Sequence, residues 1–207
     1  MDAVTALRTV QARFGGSDPE LPNGFAEHAP MGVEALLALG VEPEVVVGWA
    51  DRHEPVVLDP AGPVALRRHS LMAALELRSW EDVAAEEIGR LAAHVGAHLF
   101  HGVIRVAHAV RSLRLGVDEV AIGELATALA AWRTWAGEPD RRDATSPPPG
   151  ELADVLDAAR RGAGACATAP SIRTIHAVTG PMAFALIADL ADDTAVAAAA
   201  AAFGRTH

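Results

Sequence analysis

An all-α, compact multi-helix bundle is the fold this sequence predicts, and three observations carry the prediction. Apolar residues recur at three- and four-residue spacing through most segments, the pattern of helices with one buried face. Helix-starting Pro, Ser or Asp precedes these segments, and helix-stopping Gly follows them. No two alternating, β-branched runs are joined by a turn signal, so nothing specifies a hairpin. The chain has 207 residues, of which 51% are hydrophobic and 21% charged. That is enough to bury the core of one ordinary domain or two small ones, and the reading adopted is a single helical domain over 1–207.

Taken in order, "PMGVEALLALG" puts Pro30 in the first turn of a helix that stops at Gly40. "EVVVGWADRH" reads equally as a short helix or a strand, because its β-branched run fits both patterns. "EPVVLDPAGP" is a Pro- and Gly-rich connection into "VALRRHSLMAALELR". Ser79 with Asp82 resembles a capping box for the long span that follows. As one helix that span would reach about 54 Å, so a break is expected near Gly89 or Gly96. "DEVAIGELATALAAWRTWAG" starts at Asp118 and stops at Gly137. The charged, proline-rich run over 138–150 is the one clear surface loop. Two further helical segments, "ELADVLDAARRG" and "SIRTIHAVT", lead to an expected kink at Gly180-Pro181 and an alanine-rich tail. "GAGACA" from Gly162 matches G-x-G-x-x-A, but a helix-like segment precedes it where a dinucleotide loop needs a strand. It reads as a mobile small-residue linker.

Charge and cysteine content narrow the partners. The net charge is −10, and the 17 basic residues are all arginine, since the sequence contains no lysine. No basic face is available for nucleic acid, and no polybasic patch for a membrane surface. The single cysteine, Cys166, excludes an internal disulfide and a thiolate zinc site, and it fits a reducing compartment. "MDAVTALRTVQARFGG" lacks the basic start and apolar core of a signal peptide. No run of about 18 apolar residues could span a bilayer. A soluble, cytoplasmic protein is expected, and alanine-rich helix faces suit a homodimer.

The chemistry concentrates in "HLFHGVIRVAHAV", residues 98–110. At about 100° per residue, His98, His101, Arg105 and His108 fall along one narrow helical stripe where a core face would carry Leu, Ile and Val. His94–His98 and His98–His101 have the four- and three-residue spacings with which helical imidazoles chelate an ion. His101 and His108 lie about 10.5 Å apart along the axis, near the limit for sharing one ion and wide enough to admit ligands from other helices. Arg105 either pairs with Glu124 or Glu34, or holds an anionic or quinone-like substrate oxygen. His53, His69 and His207 read as ordinary surface histidines, and Trp132 and Trp135 as core. A His-Asp dipeptide, H-E-x-x-H, paired E-x-x-H and G-x-S-x-G are all absent. The His-Asp metal-phosphohydrolase, H-E-x-x-H, ferritin-like di-iron and serine-hydrolase arrangements built on them are therefore missing.

"HGVIRVAHAVRSL" resembles the signature of the questin oxidase-like proteins. "EHAPMGVEALLALG", "GELATALAAW" and "IHAVTGPMAF" resemble flanking blocks of that family in the same order, so the likeness extends from Phe25 to about Leu190. The resemblance implies oxygenation or ring opening of aromatic polyketides of the anthraquinone type in Baeyer–Villiger-like steps. It implies a non-haem iron, or another first-row divalent metal, held by His28, His101, His108 and His176. Arg105 would orient substrate or support a ligand, dioxygen would be a co-substrate, and NADPH enters as a reductant by the resemblance alone. The family's lysine-derived carboxylate ligand has no counterpart in a chain without lysine, which leaves Glu, Asp, water or nothing in its place. The chain is also shorter than typical members. Two readings stand beside the oxidoreductase: a non-catalytic helical protein that binds a small molecule in a histidine-lined pocket, and a hydrolase using zinc-bound water.

Overall fold

The structure is a computed structural model that describes residues 1–137, 151–168 and 171–204. Among the described residues it is all α: ten α-helices and two short 3-10 turns, with no strand beyond the isolated bridges Ser17–Val57 and Glu20–Ala26. The expected fold class holds. No helix among the described residues is long and apolar enough to cross a membrane. The proline-rich loop expected over 138–150 lies outside the described residues.

The chain packs as two compact units, Met1–Leu77 with His108–Ala131, and Arg78–Ala107 with Trp132–His207. Helices α1 (Ala3–Phe14), α2 (Ala29–Ala38), α3 (Pro43–Ala50) and α4 (Pro63–Leu77) belong to the first. The second holds α5 (Trp80–Leu91), α8 (Leu152–Thr168), α9 (Ile172–Ala185) and α10 (Asp193–Gly204). Helices α6 (His101–Leu115) and α7 (Glu119–Trp135) contribute residues to both.

In the first unit, Asp2 caps α1 by accepting the Thr5 N–H and hydroxyl hydrogen bonds, which hold its carboxyl below the ordinary carboxylate range. Leu7, Val10 and Phe14 of α1 bury against Ala29, Val33, Val46 and Ala50. Gly32 lets the Trp49 ring lie against α2, since a Cβ there would sit 2.6 Å from the Trp49 Cη2. The stretch that read equally as helix or strand forms α3 as far as Ala50, because Val46, Trp49 and Ala50 pack at helical spacing onto this core. Gly40 ends the α2 segment at φ +80, a conformation few other residues adopt. Arg8 then fastens α1 to the end of α6. Its guanidinium donates to the Ser112 and Gly116 carbonyls, to the Ser112 hydroxyl and to the Gln11 and Asp118 side chains. Two otherwise orphaned helix-end carbonyls are satisfied in this way. Asp118 in turn caps α7 at the Ala121 N–H. Burial pushes its carboxyl up, but the Ala121 amide and Arg8 outweigh that and hold it below the ordinary carboxylate range.

In the second unit, Ser79 accepts the Asp82 N–H at the start of α5, half of the expected capping box. Helix α5 runs through Gly89 and ends at Leu91, so the long span breaks over 92–100, at the Gly96 end of the expected interval. The segment "GAGACA", expected to be a linker, is part of α8. Helix α9 starts at Ser171 with a full capping box to Thr174 and continues through Pro181, where sequence alone predicted a kink. Packing there is close: a Cβ on Gly180 would sit 2.7 Å from Phe100 Cγ, so that helix and ring touch directly. Phe100 stacks on Phe203, which meets Phe184 edge-on, and these rings form the unit's aromatic core. Gly102 makes the same kind of contact with Trp132, whose indole N–H donates to the His94 carbonyl.

Two stability predictions follow from these contacts. Gly102→Ala would drive a Cβ to 2.4 Å from Trp132 Cδ1, and a loss of about 2 kcal/mol is expected in denaturant unfolding. Arg8→Ala should cost about 2 kcal/mol at neutral pH through the carbonyls it leaves unsatisfied. Because Asp118 titrates lower in the folded chain, its share is complete above the unfolded value of about 4 and fades as pH falls through the folded one. The gap between wild type and Arg8→Ala, read from urea melts, should therefore narrow at about pH 3.

Candidate metal centre

Helix α6 begins at His101, and the residues just before it explain how that ring is aimed. His98, Leu99 and Phe100 have φ values of 48, 54 and 67, three successive side-chain-bearing residues in the left-handed region. Each such residue costs about 1–2 kcal/mol, so tertiary contacts must hold the turn. The His98 ring stacks on Trp135 at 4.4 Å between centroids and 15° between planes, and Phe100 stacks on Phe203 at 5.6 Å. The turn brings the His98 carbonyl over the start of α6, where it accepts both the backbone N–H of His101 and its Nδ1–H, the latter at 2.6 Å.

His176 is oriented by its own helix. Its Nδ1 lies 2.6 Å from the Ile172 carbonyl one turn earlier in α9. A carbonyl only accepts, so His101 and His176 both carry their hydrogen on Nδ1. With both rings neutral, both Nε2 atoms are lone-pair nitrogens, and they face each other at 3.0 Å. Two lone pairs at that distance repel unless a proton or a metal ion lies between them. The backbone carbonyls do what the outer shell of a metal site does, fixing the tautomer and swinging the ligating nitrogen inward. The donor set fits a first-row ion.

The structure thus brings together His101, buried, and His176, half-buried, from segments 75 residues apart in the chain. His28 lies in the first unit as the N-cap residue of α2 and is exposed. Its side chain makes no capping bond; the buried Glu27 carboxylate accepts the Ala29 N–H in its place. His108 also lies in the first unit. Its Nδ1 donates to Glu34 Oε2 at 2.6 Å, while Arg111 approaches Oε1 at 3.2 Å. Glu34 therefore serves His108 and Arg111. Arg105, one turn after His101, is 1% exposed.

The stripe expected from sequence is corrected in one respect. His98 lies outside α6 in the left-handed turn, and His94 lies in a 3-10 turn, so neither shares a helical face with His101. His98 contributes its carbonyl and its stacking face. Trp132 is core as expected, but Trp135 is half-buried and braces the turn, a role with no sequence signal because left-handed residues other than Gly leave none. No protein-family model, curated protein or solved structure matches the chain.

Trp135→Ala removes the stacking partner of His98 and should release the turn. In ¹⁵N spectra of histidine-labelled protein, His101 should then change from a single Nδ1–H tautomer to an averaged one, and Trp135→Phe should restore the original signal. An unchanged His101 signal in Trp135→Ala would show that the brace does not set the tautomer.

Proposed function

We propose that the protein is a non-haem metal-dependent oxidoreductase in which His101 and His176 ligate iron or another first-row divalent ion. The observation that carries this reading is the facing pair of Nε2 lone pairs, each set by a carbonyl behind it. His28, at the start of α2, is the third proposed ligand. His108 is the fourth ligand that the family resemblance adds. With Nδ1 on Glu34, its Nε2 is the nitrogen that would ligate. The proposed substrate is an aromatic polyketide or quinone-like molecule, with dioxygen as co-substrate; both come from the resemblance to the questin oxidase-like proteins.

When bound, the ion supplies Lewis-acid polarisation of a substrate oxygen and, if iron, electrons for dioxygen chemistry. The chain contributes orientation. The His98 and Ile172 carbonyls accept the Nδ1–H of His101 and His176, which turns each Nε2 toward the proposed ion and prevents the rings from turning away. Arg105, buried one turn along α6, is proposed to support the ligand shell.

Elemental analysis of freshly purified protein should find about one first-row ion per chain. His101→Ala and His176→Ala should each abolish it, and added metal should raise the stability of stripped wild-type protein by about 3 kcal/mol at a hundredfold excess over Kd. Metal-free protein that stays folded and gains no stability from iron, manganese or zinc would defeat the proposal. His108→Ala tests the fourth position: loss of the ion adds it to the ligand set, and retention leaves it as the partner of Glu34. Oxygen uptake in the presence of a hydroxyanthraquinone then tests the reaction.

A further inference from the structure

We infer that the exposed face of α9 is a pairing surface for a second copy of this chain, which docks on it antiparallel across a two-fold axis. One face of α9 is already used inside the second unit, where Gly180, Pro181, Ala183 and Phe184 are buried. The opposite face would be polar in a helix that met only water there. Instead Ile172, Ile175, Met182 and Leu186 stand 51%, 43%, 39% and 41% exposed, with the exposed Thr179 between them. Their spacings of three, four, three and four residues are the a/d alternation with which one helix seats its side chains into another. A helix apolar on both faces is one that is covered on both. Leu186 is the C-cap residue but keeps helical backbone angles, φ −70 and ψ −18, so the stripe runs unbroken over two heptads, about 21 Å.

The stripe is complementary to itself. Thr179 is its one polar member and its midpoint, with two apolar side chains on either side. A two-fold axis through Thr179 sets Ile172 of one copy against Leu186 of the other, and Ile175 against Met182, as an isologous contact requires. Charge selects the antiparallel sense. Arg173 is exposed at the start of α9, the positive end of the helix dipole, whereas Asp189, Asp192 and Asp193 are exposed just beyond its negative end. Antiparallel pairing brings the basic end of each copy to the acidic end of the other; parallel pairing would set like beside like. The alanine-rich tail, which suggested a homodimer from sequence, has another use: Ala195, Ala199, Ala200 and Ala202 of α10 are buried within the chain itself.

This inference does not rest on the metal reading, since no residue of the stripe is a proposed ligand. His176 shares α9, so the oligomeric state is measured both in chelator and with added manganese, and a dimer is expected in both. Sedimentation equilibrium of the full chain should show a monomer–dimer equilibrium with Kd on the order of 10 μM, because a two-heptad seam lies at the low end of specific interfaces. Met182→Glu places a charge in the seam and should raise Kd at least about tenfold while the helical circular dichroism is retained. In a Cys166→Ala background, a short bis-maleimide should cross-link Thr179→Cys, which lies on the axis. Ile172→Cys, about 21 Å along the helix from its symmetry mate, should not cross-link. A chain that stays monomeric well above 10 μM would show that the seam is covered in some other way, and it would overturn the inference. So would a dimer lost in chelator, assembly that grows past the dimer, an unchanged Kd in folded Met182→Glu, or cross-linking through Ile172→Cys. If Met182→Glu fails to fold, the two cross-links decide it.

Discussion

Two neutral imidazoles that present lone pairs to each other at 3.0 Å repel unless a proton or a metal ion lies between them, and this constraint falls on His101 and His176 of the second unit. Each ring could relieve the repulsion by turning over, since the flipped ring would point an N–H at its neighbour. The carbonyls of His98 and Ile172 oppose that turn, because each already holds the Nδ1–H at 2.6 Å. Fixed tautomers on both sides are what a site for a shared cation requires, and they are set here by backbone alone.

That arrangement has a structural cost, concentrated in the three left-handed residues ahead of α6. A chain free to choose would continue α5 into α6 through helical geometry and lose the carbonyl that aims His101. Aromatic stacking on both sides of the turn offsets the strain: His98 on Trp135, and Phe100 in the Phe184–Phe203 cluster. Two glycines serve the same end, Gly180 by letting α9 close on Phe100 and Gly102 by letting Trp132 lie against α6. Strain held at a point where a polar side chain must be aimed is a recurrent property of functional sites.

Much of the fold was legible in the sequence. Pro30 and Gly40 bracket α2, Ser79 caps α5, and Asp118 with Gly137 bound the α7 segment, because capping and termination are local chemistry. The failures share a cause. "EVVVGWADRH" was ambiguous and "GAGACA" looked like a linker, yet the first is helical as far as Ala50 and the second lies within α8. In each, packing against a neighbouring element outweighs a local preference of about 1–3 kcal/mol. The candidate site was half legible. His101 and His176 stood out as imidazoles among apolar residues, whereas His98, in the same apparent stripe, is placed outside the helix by its own backbone.

By itself the sequence determined the helical class, most helix ends and which side chains could bind a metal, since periodicity, caps and donor chemistry act over a few residues. Only the tertiary structure decided that the imidazole at 101 meets the one at 176, that Glu34 takes His108 and Arg111, and that a left-handed turn aims the first ring. The reason is physical. Ring orientation and charge pairing depend on atoms brought close by packing across 75 or 74 residues of chain, and no local pattern encodes that approach.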